Sequence, residues 1–326
     1  MQMLKDKHIL VTGGAGFIGS NLVQELLAQG AHVRVMDNFA TGRRENLTEF
    51  LSNPKFELFE ADIQVVEDCQ QAVKGIDAIS HQAALGSVPR SIALPHNTHS
   101  TNATGFLNML HAAKEEGIKR FVYASSSSVY GDLAISPKVE GVEGSPLSPY
   151  AVTKMLNEQY AGVYARLFDM ETVGLRYFNV FGPKQDPNGV YAAAIPKFLD
   201  KLLKNEAVTI NGDGSQTRDF TYVKNAVRAN VLALTTEREF TGAAVYNVAC
   251  GESFTLLEVV EALREGLTQR GIHSTAEVVH GPERPGDIMH SLAKIDRITL
   301  ELGYAPLYTF PEGIVEYVSN YPVENH

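Results

Sequence analysis

Short apolar runs alternate with amphipathic stretches through the first half of the chain. The runs fall at His8–Thr12, His32–Asp37, Phe56–Ala61, Ala78–Gln82, Phe121–Ser125 and Thr172–Arg176. Helix-period patterns separate them at Ile18–Gln29, Val65–Val73, Thr101–Glu116 and Tyr150–Phe168. Strands alternating with helices predict an α/β fold, a doubly wound parallel sheet joined by right-handed crossovers. Beyond Tyr177 the pattern changes: Gly, Pro and Asn cluster in FGPKQDPNG, NGDGSQ and GPERPGD, and helices are expected near Leu256–Thr268 and Leu292–Leu302. The chain is expected to cross back into the sheet around Asp219–Thr236 and Ala244–Ala249. This divides it into a sheet domain of residues 1–178 plus about 219–250, and a smaller C-terminal domain of about 179–218 plus 251–326.

Composition narrows the class. A chain of 326 residues with 28 basic and 38 acidic side chains carries a net charge of −10, which argues against a nucleic-acid binder. Apolar residues at 44% and charged residues at 20% suit a globular chain with ample core. No apolar run approaches the roughly 20 residues that span a bilayer, and MQMLKDKHIL lacks the long apolar stretch of a signal peptide. Two distant cysteines, Cys69 and Cys250, make neither a disulfide framework nor a zinc site, and the histidines show no metal spacing, His96 and His99 included. The expectation is a cytoplasmic protein in a reducing compartment, without metal, nucleic-acid partner or membrane insertion.

HILVTGGAGFIGS places Gly13, Gly16 and Gly19 directly after a strand and at the opening of a helix. The first glycine permits a tight turn, the second lets a pyrophosphate approach the backbone, and the third allows close helix–strand packing. Unpaired N–H groups at the helix start would then meet the phosphates. Asp37 ends the next strand, where a carboxylate can accept from the adenosine ribose hydroxyls and would repel a 2′-phosphate, which favours NAD. Arg43 and Arg44 follow; they either read such a phosphate or form a solvated helix start. Asp62, after the third strand, suits either a hydrogen bond to adenine or a cap on the following helix.

FVYASSSSVYGD ends a strand in a serine run, and SPYAVTK lies a little beyond, with Tyr150 and Lys154 at i and i+4 on one helix face. A free phenol titrates near about pH 10, too high for a base at neutral pH. A neighbouring ammonium and a positive nicotinamide both favour the phenolate, so its pKa is expected to fall toward working pH. A serine from the strand end can hydrogen-bond the same substrate oxygen.

TGGAGFIGS, DNFATG, HQAA, SSSSVYGD, SPYAVTK and RYFNVFGPKQDPNG together make the chain resemble the extended short-chain dehydrogenase/reductases that act on nucleotide sugars, Rossmann-fold enzymes. GSVPRSI, PLSPYAVTK, QDPNGVYAAAIPKF, INGDGSQTRDF and RPGDIMHSLAKI are most similar to the bacterial UDP-N-acetylglucosamine 4-epimerases of surface-polysaccharide pathways. The resemblance implies NAD as cofactor, a UDP-sugar as substrate and a homodimer formed through Thr101–Glu116 and Tyr150–Phe168. It makes Ser126, Tyr150 and Lys154 the catalytic set, with Lys154 also binding the nicotinamide ribose. It places NAD against Gly13, Gly16, Phe17, Ile18 and Gly19, against Asp37, Asn38, Phe39, Thr41 and Gly42, and against Asp62 and Ile63. Gln82, Ala83, Ala84, Asn102, Tyr177 and Val180 complete that set with Tyr150 and Lys154. Toward the substrate it places Ser87 and Asn179 at the hexose and diphosphate, Ser126, Ser127, Ser128 and Tyr150 at the sugar, and Ala193 and Asn211 in the uridine pocket. Arg218 and Arg284 would clamp the diphosphate, Asp287 would meet a ribose hydroxyl, and Ser291 would wall the sugar pocket.

The implied activity interconverts UDP-N-acetylglucosamine and UDP-N-acetylgalactosamine through a 4-keto sugar, with UDP-glucose and UDP-galactose as further substrates. Related dehydratases and decarboxylases carry an Asp-Glu pair or a glutamate after the catalytic Thr or Ser; Ser127 and Ser128 stand there in this chain, and neither serves as a carboxylate. The competing readings are an epimerase of UDP-uronic acids, another nucleotide-sugar enzyme and a catalytically silent NAD-binding regulator. Ser291 is also expected to cap the helix beginning near Leu292.

Overall fold

The computed structural model describes residues 4–187, 192–240, 242–282 and 289–322. The strands β1 (His8–Thr12), β2 (His32–Asp37), β3 (Phe56–Glu60), β4 (Ala78–His81), β5 (Arg120–Ser126) and β6 (Glu171–Tyr177) lie within a residue or two of their expected places. With the strand Ala244–Val248 they form one seven-stranded sheet in the order 3-2-1-4-5-6 and then Ala244–Val248 at the far edge. Every pairing in it is parallel. Ile9, Leu10 and Val11 of β1 are each at most 1% exposed, as a central strand covered by helices on both faces requires. The order reverses between β1 and β4, and a doubly wound sheet opens its ligand crevice at that switch point.

The helices α1 (Phe17–Ala28), α2 (Val66–Ala72), α3 (Val88–Ala93), α4 (Pro95–His99), α5 (Gly105–Glu116) and α6 (Pro149–Phe168) connect these strands. The single helix expected over Thr101–Glu116 is a π turn, Ser100–Thr104, running into α5, which Gly117 ends in the left-handed conformation at φ 81°. Ser148 opens α6 by accepting from the Ala151 N–H at 3.1 Å, and Pro149 takes the first turn, where no N–H is needed.

After β6 the chain builds a second layer over the C-terminal edge of the sheet. It carries α7 (Ala194–Leu203), short strand pairs and the helices Leu256–Gln269, Asp296–Leu302 and Phe310–Ser319. Between them α8 (Val223–Thr235) returns under the sheet against α1 before the edge strand Ala244–Val248. Phe181, Tyr222, Phe220, Phe254 and Phe310 interlock with ring centroids 4.4–5.8 Å apart and join this layer to the sheet in one apolar core. The last helix expected from Leu292 begins only at Asp296, after Ile295, so Ser291 does not cap it. Ser291 instead ends a two-residue strand, His290–Ser291, paired with Thr217–Arg218.

Candidate active site

The turn after β1 is closed by sterics. Gly13 has φ +67°, and a Cβ there would lie 2.7 Å from the Ala83 backbone; a Cβ on Gly19 would lie 2.2 Å from the Gly13 carbonyl oxygen. The two glycines let the loop, β4 and the start of α1 approach to a distance no side chain permits. Gly16 precedes α1 with no side-chain cap, which leaves the first N–H groups of a twelve-residue helix facing the cleft. This cradle fits a dinucleotide pyrophosphate.

Asp37 ends β2 and is 7% exposed. Its carboxylate accepts from the Ala15 N–H at 2.9 Å and the Phe39 N–H at 2.8 Å. Burial pushes its pKa up and these two donors oppose the rise. Its remaining lone pairs suit a pair of ribose hydroxyls. Both arginines behind it carry carboxylate partners: Arg43 pairs with Asp186 at 2.6 Å, and Arg44 pairs with Glu60 at 2.6 Å while lying 3.9 Å over the Phe39 ring.

At the other side of the switch point, Tyr150 and Lys154 project from the first turns of α6 toward the end of β5. The Ser126 side chain stands close enough to Tyr150 to act on its phenol. Lys154 is 2% exposed, donates to the Ala124 carbonyl at 2.7 Å and stands 5.9 Å from the centre of the Tyr150 ring. Burial holds the ammonium down to about 8, with Glu158 opposing. Beneath it Glu158 accepts two bonds from Arg176, at 2.8 and 2.7 Å, and one from Ser125. In the chain alone, burial raises the Tyr150 pKa and Ser126 moderates that rise; the expected fall depends also on the nicotinamide charge. The protein's own groups therefore leave the phenol protonated, and a positive charge beside the ring is what would release the proton.

These groups line one cleft of about 1200 Å³. Gly13, Gly16, Phe17, Ile18, Gly19, Asp37, Asn38, Thr41, Gly42 and Ile63 line its first arm. Gln82, Ala83, Ala84, Tyr177 and Val180 floor it, Ser126, Tyr150 and Lys154 stand at the bend, and Ser87, Ser127, Ser128, Asn179, Ala193, Arg218 and Ser291 line the rest.

Four expected contacts are not among the residues lining the cleft. The Phe39 ring packs under Arg44. The Asp62 carboxylate accepts from Asn38 Nδ2 at 2.9 Å and the Gln64 N–H at 2.8 Å; α2 begins only after Val65, so Asp62 is not its cap either. Asn102 is 1% exposed and ties the Leu85 backbone and the Thr153 hydroxyl, so it holds the wall from behind. Asn211 ends the strand Val208–Asn211, paired with Val278–Gly281, and its carbonyl accepts from Gln216. Arg284 and Asp287 lie outside the described residues. The cleft also includes Lys138 and Arg90, which the sequence reading did not select; Lys138 sits in an ordinary polar stretch, PKVEG, with no motif to mark it.

Residues 9–249 match the model of the NAD dependent epimerase/dehydratase family. The chain belongs to this family, and its cofactor is NAD. A solved structure of a UDP-N-acetylglucosamine 4-epimerase from Methanobrevibacter ruminantium in complex with UDP-N-acetylmuramic acid is 38% identical, with a TM-score of 0.90 over 97% of this chain and 98% of that one. A UDP-glucose 4-epimerase of Mycolicibacterium smegmatis is 35% identical over 95% of this chain and 96% of that protein. A UDP-glucuronic acid decarboxylase of Arabidopsis thaliana is 34% identical over 97% of this chain and 70% of that protein. Relatives of similar identity thus differ in reaction and in sugar, and the choice among them rests on the site. No helix among the described residues is long and apolar enough to cross a membrane.

Proposed function

We propose that this family member is a UDP-sugar 4-epimerase acting on the UDP-N-acetylglucosamine/UDP-N-acetylgalactosamine pair, with UDP-glucose and UDP-galactose as further substrates. The observation that carries the reading is where the acids stand. Among the described lining residues the carboxylates are Asp37 and Asp186; Asp37 faces the ribose position and Asp186 is held by Arg43. Around Tyr150 the side chains are serines and Lys154. A 4,6-elimination or a decarboxylation needs a further acid or base beside the sugar, whereas epimerisation needs only a base and an oxidant that is returned.

NAD, when bound, supplies the oxidising centre that takes the C4 hydride and gives it back. Tyr150 removes the 4-hydroxyl proton and returns it after the keto sugar has turned over. Ser126, beside Tyr150, shares the same sugar oxygen and orients it. Lys154 holds a ribose hydroxyl beside Tyr150, and the positive nicotinamide favours the phenolate. Arg218 offers a planar fork to the diphosphate, so that grip concentrates at the nucleotide while the sugar stays free to rotate.

The acetylated substrates are supported by Ser291. It is 8% exposed, lines the cleft and is fixed in register with Arg218, where a small side chain leaves room for a C2 substituent. A homodimer is supported by the outer face of α6, where Val152, Tyr160, Val163 and Leu167 fall within a quarter turn of one another and are 37–68% exposed. The test is to incubate the purified protein with each UDP-hexose and follow C4 configuration by NMR. Appearance of the C4 epimer is expected; formation of a stable keto-deoxy or decarboxylated sugar would sink the reading.

A further inference from the structure

Lys138 is a buried cation that the epimerisation scheme does not use. It is 3% exposed and lines the cleft. Its backbone is clamped on both sides: its N–H donates to the Leu292 carbonyl at 2.7 Å, and its carbonyl accepts from the Lys294 N–H at 2.9 Å and from Asn247 Nδ2 at 3.0 Å. The residue therefore bridges to Ala293, two positions from Ser291, and is held on the same wall of the cleft. The ammonium donates to the Leu133 carbonyl, which satisfies one of its three N–H groups.

The other lysines and the acid-paired arginine of the cleft are accounted for. Arg43 has Asp186, Lys184 has Glu49 at 2.9 Å, and Lys154 serves Tyr150. Lys138 makes no ion pair among the described residues, and burial alone acts on its protonation, in the direction of loss. A buried charge is ordinarily neutralised by a partner, because leaving it unpaired away from water is costly. At the wall of a substrate cleft the partner can be the ligand.

We propose that Lys138 is a specificity residue that receives a carboxylate carried by the sugar, so that the cleft accepts acidic UDP-sugars beside neutral ones. The inference rests on the UDP-sugar reading of the cleft. A sugar carboxylate brings two acceptor oxygens to an ammonium with two N–H groups to direct, and a charge-assisted bond of this kind is worth roughly a ten- to hundredfold preference. A neutral hydroxymethyl group would use the lysine only as an ordinary donor. The carboxylate can stand in two places, at C6 as in a uronic acid or on a lactyl ether at C3.

The test uses the NAD-loaded protein and two matched pairs of ligands, UDP-glucuronate with UDP-glucose and UDP-N-acetylmuramate with UDP-N-acetylglucosamine. Dissociation constants are read by displacement of UDP. In at least one pair the acid is expected to bind no more weakly than its neutral partner. In Lys138→Met the acid-to-neutral ratio for that pair should fall ten- to a hundredfold, and Lys138→Arg should recover part of it. A preference confined to the first pair places the carboxylate at C6, and one confined to the second places it at C3. Wild-type protein that binds both acids tenfold or more weakly than their neutral partners overturns the proposal without any variant. An unchanged ratio in a folded Lys138→Met protein overturns it as well. Absence of C4 turnover with these ratios intact would remove the epimerase reading and leave the carboxylate site standing.

Discussion

The two arms of the cleft are built by different means. The arm around Asp37 is made largely of backbone: a glycine turn, the uncapped start of α1 and the loop after β2, all from residues 13–42 and all organised by adjacent strands of one sheet. The arm around Ser291 is made of side chains delivered from distant stretches, with Ser291 held opposite Arg218 by a two-residue strand pair and Lys138 bridged to Ala293. A backbone cradle cannot be changed one residue at a time without losing the turn. A wall of side chains on short strands can be altered residue by residue, so the sugar arm is where specificity can diverge while the cofactor arm stays constant.

The largest effect should come from the bend between the arms. Tyr150→Phe keeps the ring and its packing but removes the proton acceptor, so kcat is expected to fall by about 10²–10⁴ while UDP affinity stays level. Near-normal turnover in that variant would show that another group takes the proton. Next is the cradle itself. Gly19→Ala places a methyl 2.2 Å from the Gly13 carbonyl oxygen, a backbone atom that cannot swing aside, so it should cost about 1–3 kcal/mol of stability and abolish retained NAD. Denaturing the wild-type protein should release NAD, because an epimerase regenerates its oxidant each cycle; consumption of added NAD in step with turnover would contradict this.

The sugar arm should answer differently to a change of comparable size. Ser291→Tyr is expected to reduce kcat/KM on the two N-acetylated UDP-sugars by tenfold or more through overlap with the acetamido group, while UDP-glucose and UDP-galactose survive and NAD stays bound. Equal losses on all four substrates would mean that Ser291 supports the wall without shaping it.

The same contrast decides what could be read before the fold was known. The cofactor arm lies in contiguous strand–turn–helix units with strong periodicity, so β1, β2 and the glycine turn were visible in the residues themselves. The other arm depends on strands of two residues, Thr217–Arg218 and His290–Ser291, too short for any period to register. Ser291 looked like a helix cap because apolar residues follow it, yet the strand pairing extends the chain and delays the helix to Asp296. Asn102 was expected to face the cofactor, but the π turn over Ser100–Thr104 turns it inward onto Leu85. Lys138 carried no local signal at all, because its place on the wall is set by a bridge to residues some 155 positions away.

The smallest predicted effect is on stability, at the seam between the arms. Lys154 is buried, and its folded pKa of about 8 lies below the ordinary lysine value of 10.5. The unfolded chain therefore binds more protons at this site between those values, and stability attributable to the site rises with pH across that window. Below about pH 8 the lysine is charged in both states and the full burial penalty applies; above 10.5 it is neutral in both and the penalty is gone. Lys154→Met removes the titration but keeps much of the packing volume. With melting temperatures measured at pH 7, 8, 9 and 10, the variant's advantage over wild type should be greatest at pH 7. It should shrink by a few degrees toward pH 10, since about 1 kcal/mol moves the midpoint by roughly 1–2 °C in a chain of 326 residues. A difference that stays flat with pH would mean that Glu158 and the Ala124 carbonyl already compensate the buried ammonium in full.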